Sequence, residues 1–349
     1  MQKKEIGLPN HPFGGIKGRI ETIDINSKAL SKNLLGDPSS RTVAVYLPEA
    51  YERTTSEFPL LVCLAGFTGS GLGQIGWKAF QETVPQRIER LIFEKKMGPA
   101  IYVFPDCFTS LGGNQYINSA VMGNWSDFLC EELVPKVEAT YRIKKERKYR
   151  AIFGKSSGGY GAIVHAMTRA DIWSGAACHS GDMAFEICYL NDFPGLLRAL
   201  SPYDGNIRAF VDKVKKNKKV LGGDFHSLMT LAMAASYDPD PEAPYGIRLP
   251  VTSDTCELIQ DRWNRWLAWD PLRIVETKTG RDNLLKMNAL FLDCGVKDQY
   301  NLLYGNRRLT KKLESFGIEH IYEEFPDTHS TIDYRLDISL PFLFKAMGQ

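Results

Sequence analysis

Gly154-Lys155-Ser156-Ser157-Gly158-Gly159-Tyr160-Gly161-Ala162, preceded by the apolar run Ala151–Phe153 and followed by Ile163-Val164-His165-Ala166-Met167, decides how this chain is read. A short apolar run, a glycine-rich turn and a longer apolar stretch spell strand, tight turn, helix. Within the turn the pattern is G-x-S-x-G. A serine on such a turn is held at unusual backbone angles, and the residues two before and two after it approach closely. Gly154 and Gly158 fill both places, where a Cβ would clash. The turn lifts the Ser156 hydroxyl clear of the sheet and aims the Ser157 N–H at the point where negative oxygen would develop. Ser156 is therefore the expected nucleophile. Ser157 does not compete, because Lys155 occupies the place where its own leading glycine would stand.

Working outward, the same alternation recurs. Short apolar runs at Thr42–Tyr46, Leu60–Leu64, Ala100–Phe104, Ala151–Phe153, Gly175–Cys178, Ala289–Leu292 and His320–Glu323 read as buried strands. Phe80–Lys95 and Trp125–Tyr141 read as helices, with Pro85 and Pro135 allowing bends. The pattern predicts an α/β fold with a mostly parallel central sheet flanked by helices, as one domain over 1–349. Residues 184–268 break the rhythm with aromatics, Pro and Asp. They are too long for a bare connection, so a helical insertion is expected there, lying over one edge of the sheet as a lid.

A nucleophilic serine on this scaffold expects an acid and then a histidine further along the chain. His329 follows the last strand in the turn-rich loop Phe325-Pro-Asp-Thr-His329, whereas His320 falls in an apolar run. His329 is the expected base. For the acid, Asp298 lies in the loop beyond Gly295 and Asp293 closes the strand; the loop position favours Asp298, which would hold the imidazole in the right tautomer. A second oxyanion donor is expected from the loop after Leu60–Leu64, as the backbone N–H of Phe67, with Gly66 permitting the turn. Trp77, Trp125 and His179 are candidates for a substrate pocket, and His165 for packing. A rival pattern, Gly71-Leu-Gly73-Gln-Ile-Gly76, matches the dinucleotide fingerprint. It begins well after its strand, so a loop beside the site is the better reading.

Composition excludes several classes. Of 349 residues, 44% are hydrophobic and 24% charged, and the net charge is +2. That balance fits a globular protein with neither a nucleic-acid footprint nor an acidic tail. The lysines at 213, 215, 216, 218 and 219 read as a solvated helix end. The seven cysteines are scattered without CxxC spacing, as in reduced proteins. No apolar leader or membrane-length run is visible, so a cytoplasmic location is expected. The expected partner is a small-molecule ester, with no metal or organic cofactor, no nucleic acid and no membrane; a homo-oligomer remains compatible.

On these residues the chain resembles the esterase D family of α/β-hydrolases, which includes S-formylglutathione hydrolases, enterochelin-type esterases, feruloyl esterases and mycolyltransferases. The resemblance rests on Val43-Ala-Val-Tyr-Leu-Pro48, Leu64-Ala-Gly-Phe-Thr-Gly69, Val103-Phe-Pro-Asp106, Glu131-Glu-Leu-Val-Pro135, Tyr141-Arg142, the elbow, and the Asp298 and His329 loops. It implies the α/β-hydrolase fold, the same three catalytic residues and the same oxyanion donors. Many relatives carry His where this chain has Ala65, and Lys155 and Ser157 fill variable places of the elbow. The expectation is a carboxylic ester or thioester hydrolase working through an acyl-enzyme. Acyl transfer to an acceptor other than water, or a non-catalytic binding protein on the same fold, are the alternatives.

Overall fold

Period-two alternation inside the apolar runs builds a sheet buried on both faces. In the computed structural model, which describes residues 13–348, Leu60, Val62 and Leu64 enter one core, while Leu61 and Cys63 enter a second on the opposite face. The strands are β1 (Arg19–Asn26), β2 (Ser40–Leu47), β3 (Leu60–Leu64), β4 (Ile101–Pro105), β5 (Arg150–Lys155), β6 (Gly175–His179), β7 (Ala289–Gly295) and β8 (Ile321–Phe325). They form one 8-stranded sheet in the order β1-β2-β4-β3-β5-β6-β7-β8. From β4 to β8 every neighbour is parallel, and β2 alone runs against the rest.

The principal helices are α1 (Val84–Phe93), α2 (Ser157–Thr168), α3 (Phe193–Leu200), α4 (Ile207–Lys216), α5 (Gly222–Tyr237), α6 (Gln260–Leu267), α7 (Leu302–Ser315) and α8 (Leu336–Met347). Helices α1 and α8 seal one face of the sheet, and α2 with the insertion covers the other.

Three local features depart from the expectations. Strand β1 was not foreseen: it is an edge strand on which only Ile25 is buried, so its alternation is weak. The expected helix Phe80–Lys95 starts at Val84, because Thr83 and Gln86 form a capping box and Pro85 sits in the first turn. The expected helix Trp125–Tyr141 carries a π-helical stretch over Phe128–Leu133, directly before Val134 and Pro135. A proline inside a helix has no N–H to give and its ring crowds the carbonyl four residues back, so the preceding turn widens.

Residues 184–268 are largely helical, as α3 to α6, with an irregular stretch over 238–259 ahead of α6. Their aromatics pack into the same core as α2: Tyr160 of α2 lies 5.8 Å from the Tyr237 ring, Phe185 4.8 Å from Tyr237, and Tyr237 5.3 Å from Trp266. Asp270 joins the two ends of this segment. Its buried carboxylate accepts N–H bonds from Ala184 (3.2 Å) and Phe185 (2.8 Å) where the insertion leaves, and from Leu272 (2.9 Å) where the chain returns. At the end of α4 the basic cluster is a helix C-terminus, where Lys213 pairs with Asp224 at 3.2 Å. No helix among the described residues is long and apolar enough to cross a membrane.

Candidate active site

The strand–turn–helix at Ser156 puts the serine at the C-terminal end of β5 with φ 57° and ψ −127°. An L-residue there costs about 1–3 kcal/mol, and the surroundings must enforce it. They do so by contact. A Cβ on Gly158 would lie 2.2 Å from the Leu64 carbonyl oxygen, and one on Gly154 2.6 Å from the same atom. The Ser156 N–H donates to the His179 carbonyl at 2.9 Å, and the Ser156 carbonyl accepts from the Tyr160 N–H at 2.8 Å. The Ser156 turn is thus wedged between β3 and β6.

The loops after β7 and β8 bring the next two groups together. His329 Nδ1 lies 2.8 Å from Asp298 Oδ2, with the carboxylate fully buried and the imidazole 13% exposed. Asp298 Oδ1 is fixed by the N–H groups of Tyr300 (2.9 Å) and Leu302 (3.4 Å) at the start of α7. The Tyr300 ring stands edge-to-face on the imidazole, centroids 4.8 Å apart. With Nδ1 committed to Asp298, only Nε2 of His329 is left to exchange protons.

Ser156 and His329 open into one cavity of about 260 Å³. Gly66, Phe67 and Ser157 line it as well, and a Cβ on Gly66 would sit 3.5 Å from the Ser156 Cβ. The Phe67 and Ser157 N–H groups donate to no other group among the described residues. Tyr116 holds the Gly66–Phe67 loop in place by donating its hydroxyl to the Ala65 carbonyl at 2.6 Å. Positive φ recurs around the cavity at Ser180, Asn301 and Thr331 (φ 45°, 62° and 61°). For β-branched Thr331 that conformation is a true outlier.

The remaining candidates are placed elsewhere. Trp77 is 59% exposed and does not line the cavity. Trp125 is buried in the core, donating to the Met122 carbonyl with the Arg41 guanidinium over its ring. His179 faces the opposite side of the elbow: Nδ1 binds Asp293 at 2.8 Å and Nε2 meets Ser339 Oγ at 2.9 Å. Asp293, the rival acid, is taken up there, since its second oxygen accepts from Arg335 at 2.8 Å. His165 packs as expected between the Tyr116 carbonyl (2.9 Å) and Trp173 (3.1 Å), and burial pulls it down to about 4. His320 lies just outside β8, bound to the Ile318 carbonyl. Gly71 of the dinucleotide-like run presses against β4, where a Cβ would meet the Phe104 carbonyl oxygen at 2.1 Å; close packing accounts for that glycine.

Two arrangements escaped the sequence reading. Asp182, four residues past Cys178 on the strand-end loop of β6, lines the cavity and accepts from Tyr189 and Gln115, both at 2.8 Å. Burial raises its carboxyl above the ordinary range, against the pull of those two donors. Lys155, immediately before Ser156, pairs with Asp333 at 2.6 Å, and Lys78 meets the other oxygen of Asp333 at 2.8 Å. Burial opposes ionisation of Asp333, but the two cations outweigh it and bring it down to about 2.

A mostly parallel sheet of this order, with a serine elbow after β5 and the Asp and His loops after β7 and β8, is the α/β-hydrolase fold. The chain belongs to the esterase family: the model described as "Putative esterase" matches residues 37–340. Among curated relatives, Esterase Rv1288 of Mycobacterium tuberculosis (strain ATCC 25618 / H37Rv) is 33% identical over 145 residues, which is 40% of this chain. That match spans only 28% of the relative's length. Among solved structures, a ferulic acid esterase superposes with a TM-score of 0.61 at 18% identity, covering 96% of this chain and 100% of the other. S-formylglutathione hydrolase (FrmB) of Staphylococcus aureus gives 0.56 at 15% identity, covering 95% and 99%. At such identities these two likenesses speak for the fold.

Proposed function

We propose that the chain hydrolyses a carboxylic ester or thioester through an acyl-enzyme, with Ser156 as nucleophile, His329 as base and Asp298 as the orienting acid. The observation that carries this reading is the 2.8 Å His329–Asp298 pair opening, with its second nitrogen, onto the cavity that holds the strained Ser156. Ser156 Oγ attacks the carbonyl carbon as His329 Nε2 takes its proton. The oxyanion is received by the N–H groups of Phe67 and Ser157, on the order of 3 kcal/mol each. Collapse expels the alcohol or thiol, which leaves with the proton from His329. A water, deprotonated by His329, then attacks the acyl carbon and releases the acid. Family membership supports ester hydrolysis, and the cavity supports a substrate with a short to medium acyl part. All seven cysteines are free, which fits work in a reducing compartment such as the cytoplasm.

Intact-mass analysis after treatment with a fluorophosphonate tests the assignment. One adduct is expected on the wild type and none on Ser156→Ala. An adduct that persists on Ser156→Ala, or a folded wild type that takes none, would overturn it.

A further inference from the structure

The cavity wall opposite the apolar side chains of Phe67, Phe225 and Met229 carries a carboxyl group that the ester chemistry does not use. Asp182 is only 9% exposed and forms no ion pair among the described residues, although His329 on the same cavity pulls on its charge. The hydrogen bonds it accepts from Gln115 and Tyr189 both fall on one oxygen, Oδ2. The donors are aligned toward that oxygen. The Gln115 side-chain amide gives one N–H to Asp182 and another to the Tyr237 hydroxyl, both at 2.8 Å. Tyr237 in turn faces Tyr189 at 3.2 Å, and Tyr189 donates to Asp182. A chain of donors all pointing one way is the arrangement that holds an anion, and it rigidifies that anion at a fixed place in the cavity. The basic groups of the cavity wall are engaged elsewhere, Lys155 by Asp333 and His329 by Asp298.

A buried carboxylate with no directly paired cation is costly: burial pushes against its ionisation, and His329, the cavity imidazole that acts on it, is itself bound to Asp298. The missing charge is best supplied by whatever occupies the cavity. We infer that Asp182 is a specificity-determining residue, and that the ester hydrolysed here carries a protonated amine whose N–H donates to Asp182 Oδ1. The aromatic rings of Tyr189, Phe225 and Tyr300, which line the same cavity, suit a cation as well as an apolar stem. The inference rests on the ester-hydrolase reading of the same site and adds the substrate class to it.

The test compares esters that differ only in this charge. Dimethylaminoethyl thiobutyrate and isopentyl thiobutyrate place the amine, or its uncharged isostere, on the leaving side. The phenyl esters of (dimethylamino)butyrate and methylhexanoate place it on the acyl side, and a hydroxyethyl thiobutyrate supplies a neutral donor. The wild type is expected to prefer the amine-bearing member of one pair by about 10- to 100-fold in kcat/KM, the range for a hydrogen bond to a charged group. Asp182→Asn keeps an oxygen to receive Tyr189 and Gln115, and it should collapse that ratio toward one. Because the readout is a ratio between two substrates on one enzyme, any general loss of turnover cancels. Equal rates on both members of both pairs, a ratio unchanged in Asp182→Asn, or a preference for the hydroxyl ester over the amine would each overturn the inference while leaving the hydrolase reading intact. Failure of that reading is distinct: no ester would be turned over and no fluorophosphonate adduct would form.

Discussion

Two histidine–aspartate pairs of the same length sit side by side at the C-terminal edge of the sheet. In both, Nδ1 lies 2.8 Å from a carboxylate oxygen. His179 and Asp293 face each other in register on β6 and β7, whereas Asp298 and His329 stand on the loops that follow β7 and β8. The difference lies in the remaining atoms. His179 Nε2 is bound by Ser339 and Asp293 Oδ2 by Arg335, which also pairs with Glu323, so every group of the inner pair is consumed. His329 keeps Nε2 open to the cavity. A histidine–carboxylate bond therefore says little by itself; what the second ring nitrogen is left to do decides between a strut and a proton shuttle.

The sharpest way to break that comparison is to neutralise each acid in turn. Asp298→Asn is expected to lower kcat by about 10⁴-fold, since it favours the wrong imidazole tautomer without removing the nucleophile. Steady-state kinetics on a simple ester checks it, and full activity would move the acid's role elsewhere. Asp293→Ala strands Arg335 and His179 in the interior, and should cost about 3–5 kcal/mol of stability in urea titration. A stable Asp293→Ala protein with the large kcat defect would invert the two assignments.

A third histidine supplies the control with no carboxylate at all. His165 is bound by a carbonyl and by the Trp173 N–H, and burial, the leading cause, holds it down to about 4. The unfolded chain protonates near the ordinary value of about 6.5, so the unfolded state binds the proton first as pH falls. Stability should decline from about pH 6.5 to about pH 4, by about 3 kcal/mol from this group. Denaturation midpoints measured across that window should show a shallower slope in His165→Gln. The smallest effect is expected at the elbow's tether. Lys155→Met removes the 2.6 Å bond to Asp333, and a loosened nucleophile turn should cost on the order of tenfold in kcat/KM with the serine still reactive to fluorophosphonate.

What could be read in advance follows the range of the interactions. The elbow is announced locally, by G-x-S-x-G between strand and helix, although the Leu64 carbonyl that demands glycine at 154 and 158 stands on β3, far back in the chain. The choice of Asp298 over Asp293 rests on its place in the loop beyond Gly295, and the two carboxylates have different partners, His329 for Asp298 and Arg335 with His179 for Asp293. Trp77, Trp125 and His179 were chosen by residue type near the motifs, and type does not tell which side of an elbow a side chain faces. Asp182 was missed although it closes the loop after β6, a place where ligands gather in open α/β sheets. Its position at a strand end was the available signal. Its partners Gln115, Tyr189 and Tyr237 are scattered over long separations, and no local pattern predicts their convergence.

The bond between Lys155 and Asp333 joins residues 178 positions apart. Helix α8, which packs on β6 and β7 in the second core, begins only at Leu336. During synthesis the nucleophile turn is therefore made long before either of the parts that fix it. A ribosome-bound chain that has passed Thr168 carries the serine and its glycines, yet lacks the ion pair, the histidine loop and the helix that completes the second core. On the role proposed for Ser156, reactivity should consequently appear late and abruptly as the chain lengthens.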